Sequence, residues 1–167
     1  MDNAQHTGQL PQLIDQNKAI IFKICNAYCR NSADREDLAQ EIIYQLLRSH
    51  ESFTANYKFS TWMYRVALNV AISFYRKART AGNVIRLVET TPEVEDSGDT
   101  ELEKNIILLQ QFINELRELD KALMILYLEE RPYAEISEIL GITETNVSTR
   151  IGRIKEKLKQ RFLTENI

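Results

Sequence analysis

The stretch YKFSTWMYRVALNVAISFYRK, residues 57–77, joins aromatic and basic side chains in one long helical pattern, and it decides how the rest of the chain is interpreted. Ser60 or Thr61 can cap its N-terminus, because a hydroxyl there accepts an N–H that would otherwise lack a partner. Four apolar residues at helical spacing predict the buried stripe, namely Met63, Val66, Val70 and Phe74. Six side chains lie off that stripe, namely Lys58, Trp62, Tyr64, Arg65, Asn69 and Arg76.

Those off-stripe side chains suit contact with nucleic acid. Flat rings stack on unpaired bases, Arg and Lys neutralise phosphates, and Asn pairs with a base edge. The same pattern also describes an ordinary core helix with aromatic anchors. The stretch by itself leaves both interpretations open.

Charge is distributed unevenly along the 167 residues, whose formal net charge is −3. This balance argues against a simple basic protein that coats nucleic acid. Residues 87–103 nevertheless carry acids and no base, whereas residues 150–161 are basic apart from Glu156. The asymmetry predicts a local basic surface that the average conceals.

The sequence indicates neither a membrane or secreted protein nor a disulfide, metal or catalytic site. No apolar run approaches membrane-spanning length and no secretory signal is evident, so we expect a cytoplasmic protein. Cys25 and Cys29 share a helical face and fit buried thiols better than a disulfide framework or a metal site. We expect no metal, cofactor or catalytic residue, because there is no phosphate loop, no His/Cys cluster and no nucleophile with a base.

Two helices are predicted before the opening stretch, over residues 12–29 and 35–49, with Ser32 or Asp34 able to cap the second. On that second helix Leu38, Ile42, Leu46 and Leu47 are predicted to point at a core. Another face carries Asp37, Gln40 and Glu41, since residues three and four apart are neighbours on a helix. This face suits a protein partner with basic helices, or it is simply solvated.

Residues 80–99 are predicted to form an extended acidic linker, because Gly82, Pro92 and Gly98 interrupt any pattern and the acids repel one another. A second helical module then begins near Thr100 or Glu101. Apolar spacing predicts helices over residues 102–116 and 119–127, with a break near Leu119.

The most informative part of this module is RPYAEISEILGITETNVSTRIGRIKEKLKQRF, residues 131–162. Pro132 suits the first turn of a helix, Gly141 lies where the chain must turn, and Thr143 can cap the next helix. A helix, a short turn with Gly and a second helix with small polar and basic exposed residues form the helix-turn-helix plan. A plain helical hairpin is the alternative.

The second helix of this pair is predicted to enter a major groove, and close approach to DNA would explain Gly152 in its interior. Buried positions are predicted at Val147, Ile151, Ile154 and Leu158. Side chains that can reach base edges are Thr145, Asn146, Ser148 and Thr149. Side chains that can hold phosphates are Arg150, Arg153 and Lys157.

Taken together, these motifs resemble a bacterial RNA polymerase sigma factor of the extracytoplasmic-function group, in the sigma-70 family. DLAQE at 37–41, YKFST at 57–61 and WMYRVALNVAISFYRK at 62–77 are similar to region 2 of that family, and residues 131–158 are similar to region 4. The resemblance implies an all-α fold of two small helical domains: a region-2 domain over residues 1–80, a flexible acidic linker over 81–100, and a region-4 domain with a helix-turn-helix over 101–167.

The resemblance also implies roles for the ambiguous faces. Asp37, Gln40 and Glu41 match the face that docks on the clamp helices of the polymerase β′ subunit. The residues that match recognition and melting of the promoter −10 element are Lys58, Phe59, Ser60, Thr61, Trp62, Tyr64, Arg65, Asn69 and Arg76. The second helix of the C-terminal pair matches the reader of the −35 element, although the family often has Lys at position 148 and His at position 152.

The implied partners are core RNA polymerase, through its β′ clamp and β subunits, promoter DNA and an anti-sigma factor. A regulator that binds DNA by itself is a competing interpretation, but it would need a cavity or sensor motif in the N-terminal half. A helical scaffold is another, and it predicts indifference to DNA and to polymerase. An enzyme fits least well.

Overall fold

The computed structural model describes residues 8–53, 57–80 and 100–165, and within these ranges all extended regular structure is helical, as predicted. The predicted linker over 81–100 lies outside the described residues, except for Thr100. In chain order the helices are α1 (Leu10–Gln16), α2 (Lys18–Tyr28), α3 (Ser32–Arg48), a short 3₁₀ turn (His50–Ser52), α4 (Phe59–Thr80), α5 (Glu101–Glu115), α6 (Glu118–Leu128), α7 (Tyr133–Leu140) and α8 (Glu144–Glu165).

In the N-terminal half, α2, α3 and α4 pack on one another around fully buried aliphatic side chains. This core includes Ile24 of α2, Leu38 and Ile42 of α3, and Met63 and Leu68 of α4. Each helix therefore buries one stripe, as an amphipathic pattern predicts.

Three local predictions in this half are wrong. The first helix is broken at Asn17, whose side-chain amide donates to Leu13 O at 2.9 Å. Asn31, and neither predicted residue, caps α3, because its Oδ1 accepts the N–H of Asp34 at 2.8 Å. Helix α4 begins at Phe59, so Ser60 and Thr61 lie inside its first turn.

In the C-terminal half, the predicted helix-turn-helix is confirmed as α7, a tight turn and α8. Gly141 adopts φ 67° at the end of α7, a left-handed conformation that favours glycine. Thr143 Oγ1 accepts the N–H of Asn146 at 3.1 Å and caps α8 as predicted. Val147 and Ile151 then bury the inner face of α8. The preceding break falls at Leu116, before the predicted position.

The two halves pack against each other along α4. Both α6 and α7 contact this helix, and the buried apolar residues of the two halves form one cluster. The N-terminal part of α4 is consequently enclosed by α7, which decides what the candidate site can offer to solvent.

Candidate nucleic-acid interface

The three polar residues predicted to share a face of α3 do lie on its exposed side. Asp37, Gln40 and Glu41 are exposed, and Glu41 Oε1 accepts a hydrogen bond from Gln45 Nε2 at 3.0 Å. Among the described residues, neither Asp37 nor Glu41 forms a salt bridge. We call these three residues the acidic strip; its carboxylates are available to a basic partner.

The acidic strip continues into an apolar strip that the sequence did not indicate, consisting of Ile43, Tyr44 and Leu47. These side chains are exposed, and they follow Gln40 at the spacings of three and four that place residues on one face. The prediction that Leu47 points at a core is wrong: its side of α3 faces solvent, whereas the adjacent Leu46 is fully buried. Acidic and apolar contacts are thus offered side by side.

The aromatic side chains at the start of α4 pack on one another. The rings of Phe53, Phe59 and Trp62 have centroids 5.5–5.6 Å apart, and the Trp62 indole donates to Ser52 Oγ at 3.0 Å. Trp62 is buried, so its predicted place off the buried stripe is wrong. Because aromatic contacts and burial both favour this cluster, the ring supports the local fold instead of offering a free stacking surface.

Tyr64 was also predicted to lie off the buried stripe, and it is 1% exposed. Helix α7 and the residues before it cover this ring: the Arg131 guanidinium carbon lies 5.0 Å from its centroid. Thr61 Oγ1 donates to Glu135 Oε1 at 2.7 Å, and Arg131 Nη1 donates to Ser60 Oγ at 3.4 Å. Three residues predicted to contact DNA are therefore engaged by the C-terminal half.

A polar stripe on α4 is exposed to solvent. Lys58, directly before α4, and three residues on it are all exposed, namely Arg65, Asn69 and Arg76, and their spacings of seven and four place them on one side of the helix. Arg76 also donates from Nε to Glu118 Oε1 at 3.0 Å, which ties the stripe to the start of α6. This stripe therefore exposes cationic and amide groups on one side of α4.

Helix α8 presents nearly all of its predicted DNA-contacting side chains to solvent. The exposed members are Thr145, Asn146, Ser148, Thr149, Arg153 and Lys157. Arg150 is the exception: it is half-buried and donates to Asp120 Oδ1 at 2.9 Å and to Asn146 Oδ1 at 3.1 Å. Arg150 therefore holds α8 against α6, a role that the sequence did not reveal.

A polar seam joins the two halves behind α4, and the sequence gave no signal for it. Tyr28 donates its hydroxyl to Glu118 O at 2.6 Å, and Lys121 Nζ donates to Ala27 O at 3.0 Å. Lys121 is 4% exposed and lies over the rings of Tyr28 and Tyr75. Its burial, reinforced by the positive charge of Arg30, lowers its pKa to about 8.

The described residues offer neither a metal-binding cluster nor a membrane-spanning helix. Within residues 8–53, 57–80 and 100–165, no group of three or more His, Cys, Asp and Glu could hold a metal ion. Over the same ranges, no helix has the length and apolar character to cross a bilayer.

Cys25 and Cys29 are buried unpaired thiols, and desolvation raises the pKa of each to about 11. Such thiols are inert packing residues.

Comparison with known families gives two matches in chain order. Residues 13–81 match Sigma-70 region 2, and residues 106–158 match Sigma-70, region 4. The ECF RNA polymerase sigma-E factor of Haemophilus influenzae is 30% identical over 144 residues, covering 77% of this chain and 75% of that protein. The ECF RNA polymerase sigma factor SigW of Bacillus subtilis is 28% identical over 162 residues, covering 90% of this chain and 87% of SigW.

Two solved structures share the fold. CnrH, in complex with the cytosolic domain of CnrY, superposes with a TM-score of 0.67 at 17% identity, covering 97% of this chain and 95% of that one. The sigma factor RpoE from Bartonella quintana, in complex with the anti-sigma factor NepR, gives 0.65 at 15% identity, covering 95% and 96%. At these identities the likeness is one of fold.

Proposed function

This chain belongs to the extracytoplasmic-function group of the sigma-70 family and is a transcription initiation factor that directs core RNA polymerase to specific promoters, and we propose which of its surfaces carries each step. One observation supports the assignment of surfaces best. The same chain holds a long helix with a basic and amide stripe, α4, and a helix-turn-helix whose second helix, α8, turns its polar face to solvent.

We propose that the acidic strip docks on core RNA polymerase, on the basic clamp helices of β′. Asp37 and Glu41 place carboxylates on the exposed side of α3, and neither forms a salt bridge with another described residue, which suits a cationic partner. The apolar strip beside them adds area that a partner can bury, and exposed Tyr44 is a residue type enriched at interface hot spots. Charge then sets the orientation of docking while the apolar side chains supply much of the affinity.

The exposed stripe of α4 is the proposed contact for the −10 element. Lys58, Arg65 and Arg76 neutralise phosphates, and Asn69 offers an amide to an extruded base. The residues Phe59, Ser60, Thr61, Trp62 and Tyr64 complete this predicted surface. Trp62 supports it from within the aromatic cluster, and Tyr64 lies beneath Arg131 at its edge.

Helix α8 is the proposed reader of the −35 element as duplex DNA. Thr145, Asn146, Ser148 and Thr149 lie on its exposed N-terminal half, where helix-turn-helix proteins contact base edges. Arg153 and Lys157 are placed for phosphates. Arg150 is better described as the residue that fixes the angle of α8, because two hydrogen bonds hold it to Asp120 and Asn146.

Family membership supports three further proposals, which concern a regulatory partner, the cellular location and the absence of a chemical step. We propose an anti-sigma partner, since RpoE of Bartonella quintana was solved with the anti-sigma factor NepR. We place the protein in the cytoplasm, where core polymerase and promoter DNA are found. Its contribution to initiation is binding and positioning, and no chemical step is assigned to its side chains.

Co-elution with core RNA polymerase tests the docking face. We expect wild type to co-elute and the Asp37→Arg/Glu41→Arg variant to lose binding, because each substitution places a cation against a basic partner. Asp15→Arg/Glu138→Arg is the matched control, since it reverses two exposed carboxylates on α1 and α7, away from the acidic strip. Equal binding by both variants would contradict the proposed docking face.

A further inference from the structure

Helix α8 extends past the part of it that the core of the helix-turn-helix holds. Its buried side chains are Val147, Ile151 and Ile154, which all lie in its N-terminal half. Residues 155–165, its C-terminal half, have side chains that are half-buried at most. Apolar packing therefore holds one half of α8 firmly, and polar contacts have a larger share in fixing the direction of the other half.

The main polar contact of the C-terminal half is a two-pronged ion pair between Arg161 and Glu115 on α5. Arg161 Nη2 donates to Glu115 Oε1 at 3.0 Å, and Arg161 Nη1 donates to the other oxygen of the same carboxylate. Arg161 Nε also donates to Glu165 Oε1 at 3.4 Å. Two parallel hydrogen bonds fix the orientation of a guanidinium relative to a carboxylate, which a single exposed salt bridge does not do.

A second ion pair, between Arg150 and Asp120, attaches α8 to α6. Arg150 and Arg161 are separated by about three helical turns, so they lie on the same side of α8. Their partners flank the turn between α5 and α6, because Glu115 ends α5 and Asp120 lies in the first turn of α6. Helix α8 thus lies across the corner of α5 and α6 and is attached to it at two points, about 16 Å apart along its axis.

Two attachment points fix the direction of a stiff helix, whereas a single one lets it pivot. With Arg150 as the pivot, a sideways displacement of about 1 Å at Arg161 moves Thr145 by about 0.5 Å in the opposite direction, because these residues lie about 16 Å and 8 Å from the pivot. Hydrogen bonds to base edges tolerate donor–acceptor distances over a range of only about 0.5 Å. Small changes at the C-terminal end of α8 therefore affect the contacts at its N-terminal end.

We propose that the ion pair of Glu115 and Arg161 is a positioning contact for recognition of the −35 element, which fixes the direction of α8 in the major groove while Arg161 itself contacts no phosphate. This inference rests on the proposed role of α8 as the reader of that element. The ion pair lies at the far end of the helix from the side chains that reach base edges. It therefore affects which sequence is bound and leaves the general attraction to DNA unchanged.

The test uses holoenzyme assembled from core RNA polymerase and the full chain, with two fluorescein-labelled probes. One probe is a pool of random duplexes, and the other is a single duplex enriched from that pool by wild-type holoenzyme. The specificity ratio is the affinity for the enriched duplex divided by the affinity for the pool. We expect Glu115→Ala and Arg161→Ala each to lower this ratio about fivefold, the lower end of the effect of one mismatched base pair. Affinity for the pool and its salt dependence should stay at the wild-type values.

Four further variants calibrate the measurement. Glu115→Arg/Arg161→Glu restores the ion pair with reversed polarity and should recover most of the lost specificity. Arg153→Ala should weaken binding to both probes alike and lower the slope of log affinity against log salt by about 1. Asp15→Ala/Lys18→Ala removes an exposed ion pair in the N-terminal half and should leave both affinities unchanged. Thr149→Ala removes an exposed side chain predicted to reach a base edge and should lower the ratio. Circular dichroism establishes that every variant is folded.

Three results would overturn the positioning role. If Arg161→Ala weakens binding to both probes and lowers the salt slope by about 1, Arg161 contacts a phosphate. If the reversed pair recovers none of the lost specificity, the ion pair is not its cause. If Glu115→Ala and Arg161→Ala keep the wild-type ratio while Thr149→Ala lowers it, the ion pair does not position α8 and the role of α8 stands. If Thr149→Ala keeps the ratio as well, the proposed reading of the −35 element by α8 has failed, and the positioning role fails with it.

Discussion

Helices α4 and α8 are each 22 residues long and each carries a face predicted to bind DNA, yet their surroundings differ. Helix α8 packs one stripe against α6 and α7 and leaves its polar N-terminal half in solvent. Helix α4 packs against its own domain and is then covered on a second side by α7. The spacing of residues along a helix thus identifies side chains that can bind DNA. Whether those side chains are accessible depends on which other helices pack against that face.

The largest expected effect is a loss of stability on substitution of the buried Tyr64, compared with the exposed Tyr44. Tyr64→Ala removes a ring that is 1% exposed, and we expect the free energy of unfolding to fall by about 3–5 kcal/mol, as for other large aromatic truncations in cores. Tyr44→Ala removes a ring that is 54% exposed and should change the free energy of unfolding by no more than about 0.5 kcal/mol. Urea unfolding followed by circular dichroism measures both. Similar losses for the two variants would contradict the burial of Tyr64.

Lys121 gives a pH-dependent test of the seam that keeps α4 covered. Its pKa is lowered from 10.5 to about 8, so between these pH values the folded chain has lost a proton that the unfolded chain retains. The free energy of unfolding of wild type should therefore rise with pH in this window relative to Lys121→Met, with a slope of up to about 1.4 kcal/mol per pH unit. The difference between the two proteins cancels the titration of groups that do not interact with Lys121, whereas Cys29, which interacts with it, still contributes to the difference. Parallel pH profiles would show that Lys121 is solvated.

Substitution of two arginines on α8 should distinguish a residue that positions the helix, Arg150, from one that contacts DNA, Arg153. Arg150→Ala breaks the salt bridge to Asp120, and we expect a loss of up to about 1 kcal/mol in the free energy of unfolding. Arg153→Ala should leave that free energy unchanged and weaken binding to duplex DNA, lowering the slope of log affinity against log salt by about 1. Titration of a labelled duplex at several salt concentrations gives the slope. A stability loss confined to Arg153→Ala would reverse these roles.

The parts of the fold that the sequence predicted correctly depend on local interactions. Gly141 and Thr143 specify a turn and a cap within a few residues of themselves, and the helix-turn-helix was placed accurately from them. The acidic strip was likewise found from spacing on one helix. Such signals are readable because their partners lie one helical turn away.

The parts that the sequence did not predict depend on distant contacts. Thr61 is paired with Glu135, 74 residues away, and Ser60 with Arg131, 71 residues away, and no periodicity specifies such pairs. Tyr64 lies off the stripe that faces its own domain and is covered by Arg131 from the other half, so helical spacing alone does not predict its burial. Leu47 is apolar but exposed, because a residue next to the buried Leu46 points about 100° away from it around the helix.

The most direct measurement is the affinity of the full chain for labelled single-stranded DNA, with and without core RNA polymerase and against core polymerase alone. We predict weak binding by the chain alone and tight binding, beyond that of core polymerase, when both are present. Asp37→Arg/Glu41→Arg should abolish that gain, because it removes docking through the acidic strip. Binding by the chain alone as tight as binding with core polymerase would contradict a factor that reaches promoter DNA through core polymerase.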